Sequence, residues 1–150
     1  MPEYRPKLSF YKPNKTGSGA AAQFDYNPEK KAVFLEMARQ TGEKAFDWEH
    51  KLALKLAMTD CTKLLTVLLG KAPKTELFHD PSKGDYATSQ ATKNSTLTLQ
   101  KGTQYGYYLK LSLQGQDGKV ESIPLNLSDD EAIILDAGLK LAVEGMIGWQ

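Results

Sequence analysis

The sequence predicts an α+β fold with the element order ββββαββββα, in which two antiparallel four-stranded sheets are each followed by one helix. Three observations predict it. Apolar and polar residues alternate through much of the chain, which is the period-two pattern of half-buried strands. Short turns separate these segments, which favours antiparallel pairing. Two segments with helix-start signals, at residues 59–70 and 128–146, each follow a run of four strands.

The first four strands are predicted at residues 7–11, 20–26, 31–39 and 46–57. The loop at residues 12–19 is rich in lysine, proline and glycine, so we expect it to be mobile. Turns are expected at residues 27–30 and 40–44.

The fourth strand, residues 46–57, has the clearest alternation of this half. One face would carry Phe46, Trp48 and His50 together with the leucines at positions 52, 54 and 56. The other face would carry charged residues, including Asp47 and Glu49. This pattern predicts a half-buried strand with His50 on its apolar side.

The first helix is predicted to start at Thr59 as N-cap, with Asp60 at the positive end of the helix dipole, and to end at Gly70. Cys61, the only cysteine of the chain, lies in its first turn. A helix start can lower a thiol pKa, but a small, semi-buried residue is the favoured interpretation. A single cysteine excludes an internal disulfide and a thiolate metal cluster.

The second half of the chain is predicted to have the same order of four strands and a helix, with strands at residues 75–80, 95–100, 104–114 and 120–127. A long polar loop is expected at residues 81–94 and a hairpin turn at residues 115–118. Pro124 cannot donate a hydrogen bond to a ladder, so the last strand should be an edge strand or contain a bulge.

The strand at residues 104–114 is predicted to point its alternate residues in opposite directions. Tyr105 and Tyr107 would face inward with the following leucines, and Tyr108 and Lys110 would face outward.

Ser128 and Glu131 form a capping-box pattern, which predicts a helix over residues 129–146. Its apolar residues do not fit one stripe: they are Ile133, Ile134, Leu135, Leu139, Leu141, Val143 and Ile147. Part of this helix is therefore expected to pack against another subunit.

The composition is that of an ordinary globular protein. A length of 150 residues, 41% of them hydrophobic and 25% charged, suits a single domain spanning residues 1–150. No apolar run is long enough to span a bilayer, and "MPEYRPKLSF" contains no apolar signal region. We therefore expect an intracellular protein, in the cytoplasm or nucleoid, with no targeting segment.

Charge is unevenly distributed along the chain. The net charge of +1 argues against a dominant phosphate-binding surface. Residues 128–150 contain five acidic residues and one lysine, a net charge of −4, which leaves +5 on residues 1–127. One basic face and one acidic face would result.

The two histidines, His50 and His79, raise the question of metal or acid–base chemistry. A metal-dependent hydrolase would need His50, His79 and Asp80 to converge, since a zinc site takes three or four ligands. No HxH or HxxxH spacing occurs, and strand parity separates His50 from Asp47 and Glu49. The favoured interpretation has no metal, no cofactor and no catalysis. His50 would be a hydrogen-bonded residue at the edge of the core, and Asp80 would organise the loop after it.

Aromatic and basic residues are interleaved on several predicted strands. The examples are Tyr11 with Lys12 and Lys15, Phe34 beside Lys30 and Lys31, and Tyr108 with Lys110. Aromatic faces and lysines on a sheet are what single-stranded nucleic acid needs, because bases stack on the rings. The alternative is that these lysines only solvate an ordinary strand surface.

Four short motifs occur in an order and spacing that resemble the Whirly family of single-stranded DNA-binding proteins. They are "FDWEHK" at residues 46–51, "ELFHDP" at 76–81, "IPLNLSDDEA" at 123–132 and "IGW" at 147–149. The resemblance covers roughly residues 7–149. The chain is more distantly similar to positive-cofactor-type transcriptional coactivators, which bind single strands through curved sheets.

The resemblance implies two sheets packed crosswise, helices that mediate assembly, and a homotetramer. It also implies non-enzymatic binding of single-stranded DNA, largely without sequence preference, in recombination, repair, replication or transcription. The strand would run along sheet surfaces and between protomers. An RNA-binding or annealing protein on the same fold is the alternative, because stacking platforms accept both sugars.

The candidate contact residues are Tyr11, Lys12, Asn14, Lys15, Lys31, Phe34, Trp48, Lys51, Tyr108 and Lys110. Trp48 is equally compatible with burial and with contact to bases. Plant members carry a compact Lys-Gly-Asn/Lys-Lys-Ala-Leu segment where this chain has "YKPNKTGSGAAA". Lys12, Asn14 and Lys15 match that segment only loosely, so assembly beyond the tetramer is left open.

Overall fold

The computed structural model describes residues 6–80 and 92–149, without the side chains of residues 92 and 93. The first sheet has the order β1 (Leu8–Lys12), β2 (Ala20–Asn27), β3 (Ala32–Arg39), β4 (Leu52–Leu56), and α1 (Met58–Leu68) follows it. The second sheet has the order β5 (Lys74–His79), β6 (Thr92–Lys101), β7 (Tyr107–Gly115), β8 (Val120–Leu127), and α2 (Asp129–Ile147) follows it. All strand pairs are antiparallel, so the predicted fold class is confirmed.

The core lies between the two sheets. Alternate residues of all eight strands, among them Leu35, Leu54, Leu97 and Leu111, form one buried cluster. β8 contacts β1, β2 and β3, so the strands of the two sheets cross. Each sheet therefore buries one side against the other sheet, and its second side points outward. Pro124 lies on β8, which is an edge strand as predicted.

The two helices pack against each other and against the sheets. α2 buries one side, made of Ala132, Leu135, Leu139, Ala142 and Met146. Gly138 and Gly145 let this helix lie close to the first sheet, because a side chain at either position would collide with Leu8 or Tyr26. The predicted capping box is confirmed, since Ser128 N–H donates to Glu131 at 2.9 Å and Glu131 N–H donates to Ser128 Oγ at 3.3 Å.

The prediction of a continuous strand over residues 46–57 is wrong. Phe46 forms only an isolated bridge with Gln40, and Trp48–His50 form a turn of 3-10 helix before β4 begins. In that turn His50 N–H donates to the carbonyl of Asp47 at 3.3 Å. The alternation of β4 therefore does not extend back to His50, which is exposed instead of lying at the core edge.

Two further boundaries differ from the prediction. The N-cap of α1 is Ala57, not Thr59, and Asp60 satisfies the Ala57 N–H from the third helical position at 2.8 Å. Tyr105 is exposed instead of inward, because β7 begins only at Tyr107, after Gly106 has turned the chain with φ of +75°. Most of the loop predicted at residues 81–94, including Pro81, lies outside the described residues.

Gln40, a buried residue, holds the loop that was expected to be mobile. Its Oε1 accepts from the N–H groups of Asn14 at 3.0 Å and Gly19 at 2.9 Å. Its Nε2 donates to the carbonyls of Asn14 at 3.1 Å and Gly42 at 2.8 Å. One side chain therefore joins the β1–β2 loop to the β3–β4 connection.

Replacing Gln40 with leucine is expected to lower the free energy of unfolding by about 1–3 kcal/mol, because partly buried backbone groups of Asn14, Gly19 and Gly42 lose their hydrogen-bond partners. Urea denaturation followed by circular dichroism measures this. Gln100→Leu, at an exposed position of β6, is the control and should change stability by at most about 0.5 kcal/mol. Equal losses in the two variants would contradict the linking role of Gln40.

Candidate nucleic-acid interface

The outward side of the first sheet, called face 1 below, carries two separate aromatic positions. It is formed by Ser9, Tyr11, Ala21, Gln23, Asp25, Phe34, Glu36, Ala38, Ala53 and Lys55. Tyr11 is 51% exposed and packs on Phe46, with ring centroids 5.7 Å apart. Its hydroxyl accepts from Gln23 Nε2 at 3.3 Å. The tyrosine ring is thus supported from two sides while one part stays open to solvent.

Phe34 is the second aromatic position of face 1. Lys30 Nζ lies 5.6 Å from the ring centroid, which is a cation–π distance. Lys55 lies opposite Phe34 in the β3–β4 register. The expected grouping of Phe34 with Lys30 is confirmed, and it combines a ring with positive charge.

The outward side of the second sheet, called face 2 below, carries a further aromatic pair. It is formed by Lys74, Glu76, Phe78, Asn94, Thr96, Thr98, Gln100, Tyr108, Lys110, Ser112, Gln114, Val120, Ser122, Pro124 and Asn126. Phe78 is 66% exposed and Tyr108 36% exposed. Strand spacing places their Cα atoms roughly 17 Å apart, so each ring offers its own platform.

The hydroxyl and amide side chains between these rings can donate and accept hydrogen bonds. In the register, Tyr108 is opposite Gln100, and Lys110 is opposite Thr98. The outward orientation predicted for Tyr108 and Lys110 is confirmed. Face 2 can therefore stack on planar rings and contact anionic groups at the same time.

Faces 1 and 2 point away from each other, because the inner sides of the two sheets pack together. The predicted site residues are accordingly divided. Tyr11 and Phe34 lie on face 1, and Tyr108 and Lys110 lie on face 2. They do not form one site within a single protomer.

Two of the predicted lysines are held by carboxylates. Lys12 Nζ lies 2.5 Å from Glu131 Oε1 at the start of α2, and Lys51 Nζ lies 2.5 Å from Glu36 Oε2. Burial would raise the pKa of the Glu131 carboxyl, but hydrogen bonds from Lys12 and Ser128 outweigh it and hold the pKa below its usual value. Nucleic acid would have to compete with these carboxylates for either lysine.

The remaining predicted residues lie in connections between strands. Asn14 organises its own loop, where Oδ1 accepts from Thr16 Oγ1 at 2.9 Å and from Ser18 N–H at 2.9 Å. Lys15 is exposed in that loop, and Lys31 is exposed in the β2–β3 turn. Trp48 is half-buried in the 3-10 turn. Their contact with nucleic acid stays a prediction.

The histidines pair with different carboxylates. His50 Nδ1 lies 2.9 Å from Asp47 Oδ2, so the predicted separation of these two residues by strand parity is wrong. The hydrogen bond that His50 donates to the Asp47 carboxylate raises the pKa of His50 above its usual value. His79 Nε2 lies 3.2 Å from Asp60 Oδ2 and joins the end of β5 to the start of α1.

Among the residues that the structure describes, neither histidine belongs to a group of metal ligands. Within residues 6–80 and 92–149, no three or more His, Cys, Asp or Glu side chains are placed to hold a metal ion. Cys61 is fully buried, and burial raises the pKa of its thiol to about 12. This thiol stays protonated at neutral pH, which agrees with a packing role.

The sequence interpretation missed Phe78, the most exposed ring of the two faces. Its neighbour Leu77 is buried in the core, so the alternation of β5 turns Phe78 outward. That signal was present in the sequence, but "ELFHDP" was used only as one of the four motifs that resemble the Whirly family. The role of Phe46 was also missed. It was assigned to a strand, whereas in the structure its ring packs against Tyr11.

No helix in the described part of the chain is long and apolar enough to cross a membrane.

A family model described as Whirly transcription factor matches residues 14–137 of the chain. The chain is 29% identical over 119 residues to the single-stranded DNA-binding protein WHY1, chloroplastic, of Arabidopsis thaliana, a match that covers 78% of the chain and 44% of that relative. It is 25% identical over 109 residues to the single-stranded DNA-binding protein WHY2, mitochondrial, of the same plant, covering 72% and 44%. The chain thus spans less than half the length of these relatives.

Solved structures show the same fold. The crystal structure of WHY3 from Arabidopsis thaliana matches with a TM-score of 0.78 at 22% identity, covering 99% of the chain and 92% of that protein. The plant transcriptional regulator PBF-2 matches with a TM-score of 0.78 at 21% identity, covering 99% and 94%. A guide-RNA-binding protein complex bound to a guide RNA contains a chain that matches with a TM-score of 0.70 at 18% identity, covering 98% and 95%.

Proposed function

The chain belongs to the Whirly family, and from this membership we propose that it is a non-enzymatic single-stranded DNA-binding protein with little sequence preference. The observation that carries the proposal is the pairing of exposed rings with lysines on outward sheet faces, above all Phe78, Tyr108 and Lys110 on face 2. Stacking of bases on aromatic side chains contributes about 1–3 kcal/mol per base and tolerates any sequence.

The faces suit single strands better than duplex DNA. In a duplex the flat surfaces of the bases are covered by their neighbours, so an aromatic platform has nothing to stack on. A net charge of +1 supports only a few phosphate contacts. The α2 region, with a net charge of −4 over residues 128–150, repels the phosphate backbone of a nucleic acid. Affinity would therefore depend more on stacking than on charge.

The proposal includes self-association as a homotetramer. The side of α2 that does not touch the sheets exposes Ile133, Ile134, Leu141 and Ile147. Leu141 also borders an apolar groove of about 300 Å³ between α2 and the first sheet. Apolar surface of this extent is typical of an interface between subunits.

RNA is the second candidate ligand, favoured by the fold shared with a chain of a guide-RNA-bound complex. A stacking face does not distinguish RNA from DNA unless the 2′-hydroxyl is contacted. A metal-dependent hydrolase has no comparable support, because His50 and His79 pair with different carboxylates. Within the proposal the chain is a single binding domain that acts in recombination, repair, replication or transcription, in the cytoplasm or nucleoid.

Replacing Tyr108 and Lys110 together by alanine is expected to weaken binding of single-stranded DNA at least several-fold, because one stacking platform and one phosphate contact are lost. Fluorescence anisotropy with labelled oligothymidylate measures the Kd. The wild-type protein should bind this strand more tightly than the corresponding duplex. The Kd for an RNA strand of matched sequence compares the two candidate ligands, DNA and RNA.

The double variant His50→Gln and His79→Gln is the control for that experiment. It removes both imidazoles but leaves both faces unchanged, so the Kd should stay close to wild type while circular dichroism shows a folded protein. Loss of binding in the histidine variant, together with normal binding in the Tyr108 and Lys110 variant, would place the ligand elsewhere. Equal affinity for single-stranded and duplex DNA would count against stacking.

Ile134→Asp is expected to break the proposed tetramer into smaller species, because it places an unpaired charge in an apolar interface. Light scattering at micromolar concentration measures the mass. Val120→Asp is the matched control, since Val120 is also apolar and exposed but lies at the start of β8, at the other end of that strand from α2. A wild-type protein that is monomeric, or an unchanged mass in Ile134→Asp, would refute this part of the proposal.

A further inference from the structure

Glu36 stands at the centre of face 1. It lies on β3, an inner strand of the first sheet, opposite Gln23 on β2 and Ala53 on β4. Phe34 is two residues away on the same side of the strand, towards one end of the face. Tyr11, opposite Ala21, lies towards the other end. A strand that reached both rings would pass over this carboxylate.

The carboxylate of Glu36 holds two lysines. Lys51 Nζ, just before β4, lies 2.5 Å from Oε2, and Lys7 Nζ, just before β1, lies 3.8 Å from Oε1. The side chains of Lys7 and Lys51 are 45% and 42% exposed, against 23% for Glu36. The cations are therefore open to an incoming phosphate, but the carboxylate between them pairs with both and cancels half of their combined charge.

From this geometry we infer that Glu36 limits the affinity of face 1 for nucleic acid by competing with phosphate for Lys7 and Lys51. The inference rests on the proposed binding of single strands. A phosphate that approaches either lysine must displace the Glu36 carboxylate or lie beside it. A phosphate beside the carboxylate is repelled, because both groups are negatively charged. Glu36 thus leaves face 1 with base stacking at its two ends and little phosphate contact at its centre.

The neutral variant Glu36→Gln separates this effect from ordinary packing. Glutamine keeps the size of the side chain and removes only the negative charge. Both lysines are then available to phosphates, and each new contact should steepen the dependence of log K on log salt by about 0.7 for a single strand. The slope is expected to steepen by up to about 1.4, with binding several-fold tighter at low salt and the gain shrinking as salt rises.

The experiment measures the Kd of wild type and Glu36→Gln for labelled oligothymidylate between about 50 and 200 mM salt. Glu121→Gln is the matched control. It makes the same change in net charge and releases Arg39 from an ion pair of 3.8 Å, but the alternation of β8 places Glu121 outside both faces. Its salt slope should stay at the wild-type value.

A second pair of measurements removes the two lysines, and its first half, in the wild-type background, does not depend on the folding of Glu36→Gln. In the wild-type background, changing Lys7 and Lys51 to glutamine should make the salt slope shallower by much less than about 1.4, because Glu36 already pairs with both lysines. In the Glu36→Gln background the same change should remove the steepening. If removing both lysines from the protein that retains Glu36 makes the salt slope shallower by about 1.4, the inference is overturned.

The outcomes also separate this inference from the proposed function. Wild-type protein that fails to bind single strands overturns the proposed function, and this inference with it. The inference alone is overturned if the wild-type protein binds single strands and Glu36→Gln has the same affinity and salt slope. It is also overturned if Glu36→Gln and Glu121→Gln change the affinity and the slope equally.

Discussion

Each sheet buries one of its sides against the other sheet, and the rest of the structure depends on this packing. The leucine-rich inner sides pack crosswise, with β8 lying over three strands of the first sheet. The outward sides then face away from the core, and α2 packs next to Leu8 and Tyr26 of the first sheet. Aromatic residues at alternate positions, such as Phe78 beside the buried Leu77, are exposed as a direct result.

Carboxylates on or near the sheets decide how much positive charge these surfaces offer. Lys12 pairs with Glu131, and Lys51 pairs with Glu36. A ligand phosphate would have to compete with these carboxylates for either lysine. The Lys12 pair also ties β1 to the first turn of α2. A surface of this kind favours planar, unpaired bases over a dense row of phosphates, which agrees with the small net charge of the chain.

The strands, α2 and its cap were predictable because they follow local rules: alternation in β7 and β8, and the pairing of Ser128 with Glu131. The turn at Trp48–His50 was not, since its residues continue the alternation of β4 and only backbone geometry interrupts it. The partners of Lys12 and Lys51 were not predictable either. Lys12 and Glu131 are 119 positions apart, and no local pattern specifies such a contact.

In the proposed mode of binding, unpaired bases stack on the outward sides of the two sheets. Photo-crosslinking of an oligonucleotide containing iodouracil, followed by peptide mass spectrometry, tests it most directly because the base reacts with the ring it touches. The account predicts crosslinks at Phe78 and Tyr108 on the second sheet and at Tyr11 or Phe34 on the first. Crosslinks confined to α2, or to the turn that contains Trp48, would contradict it.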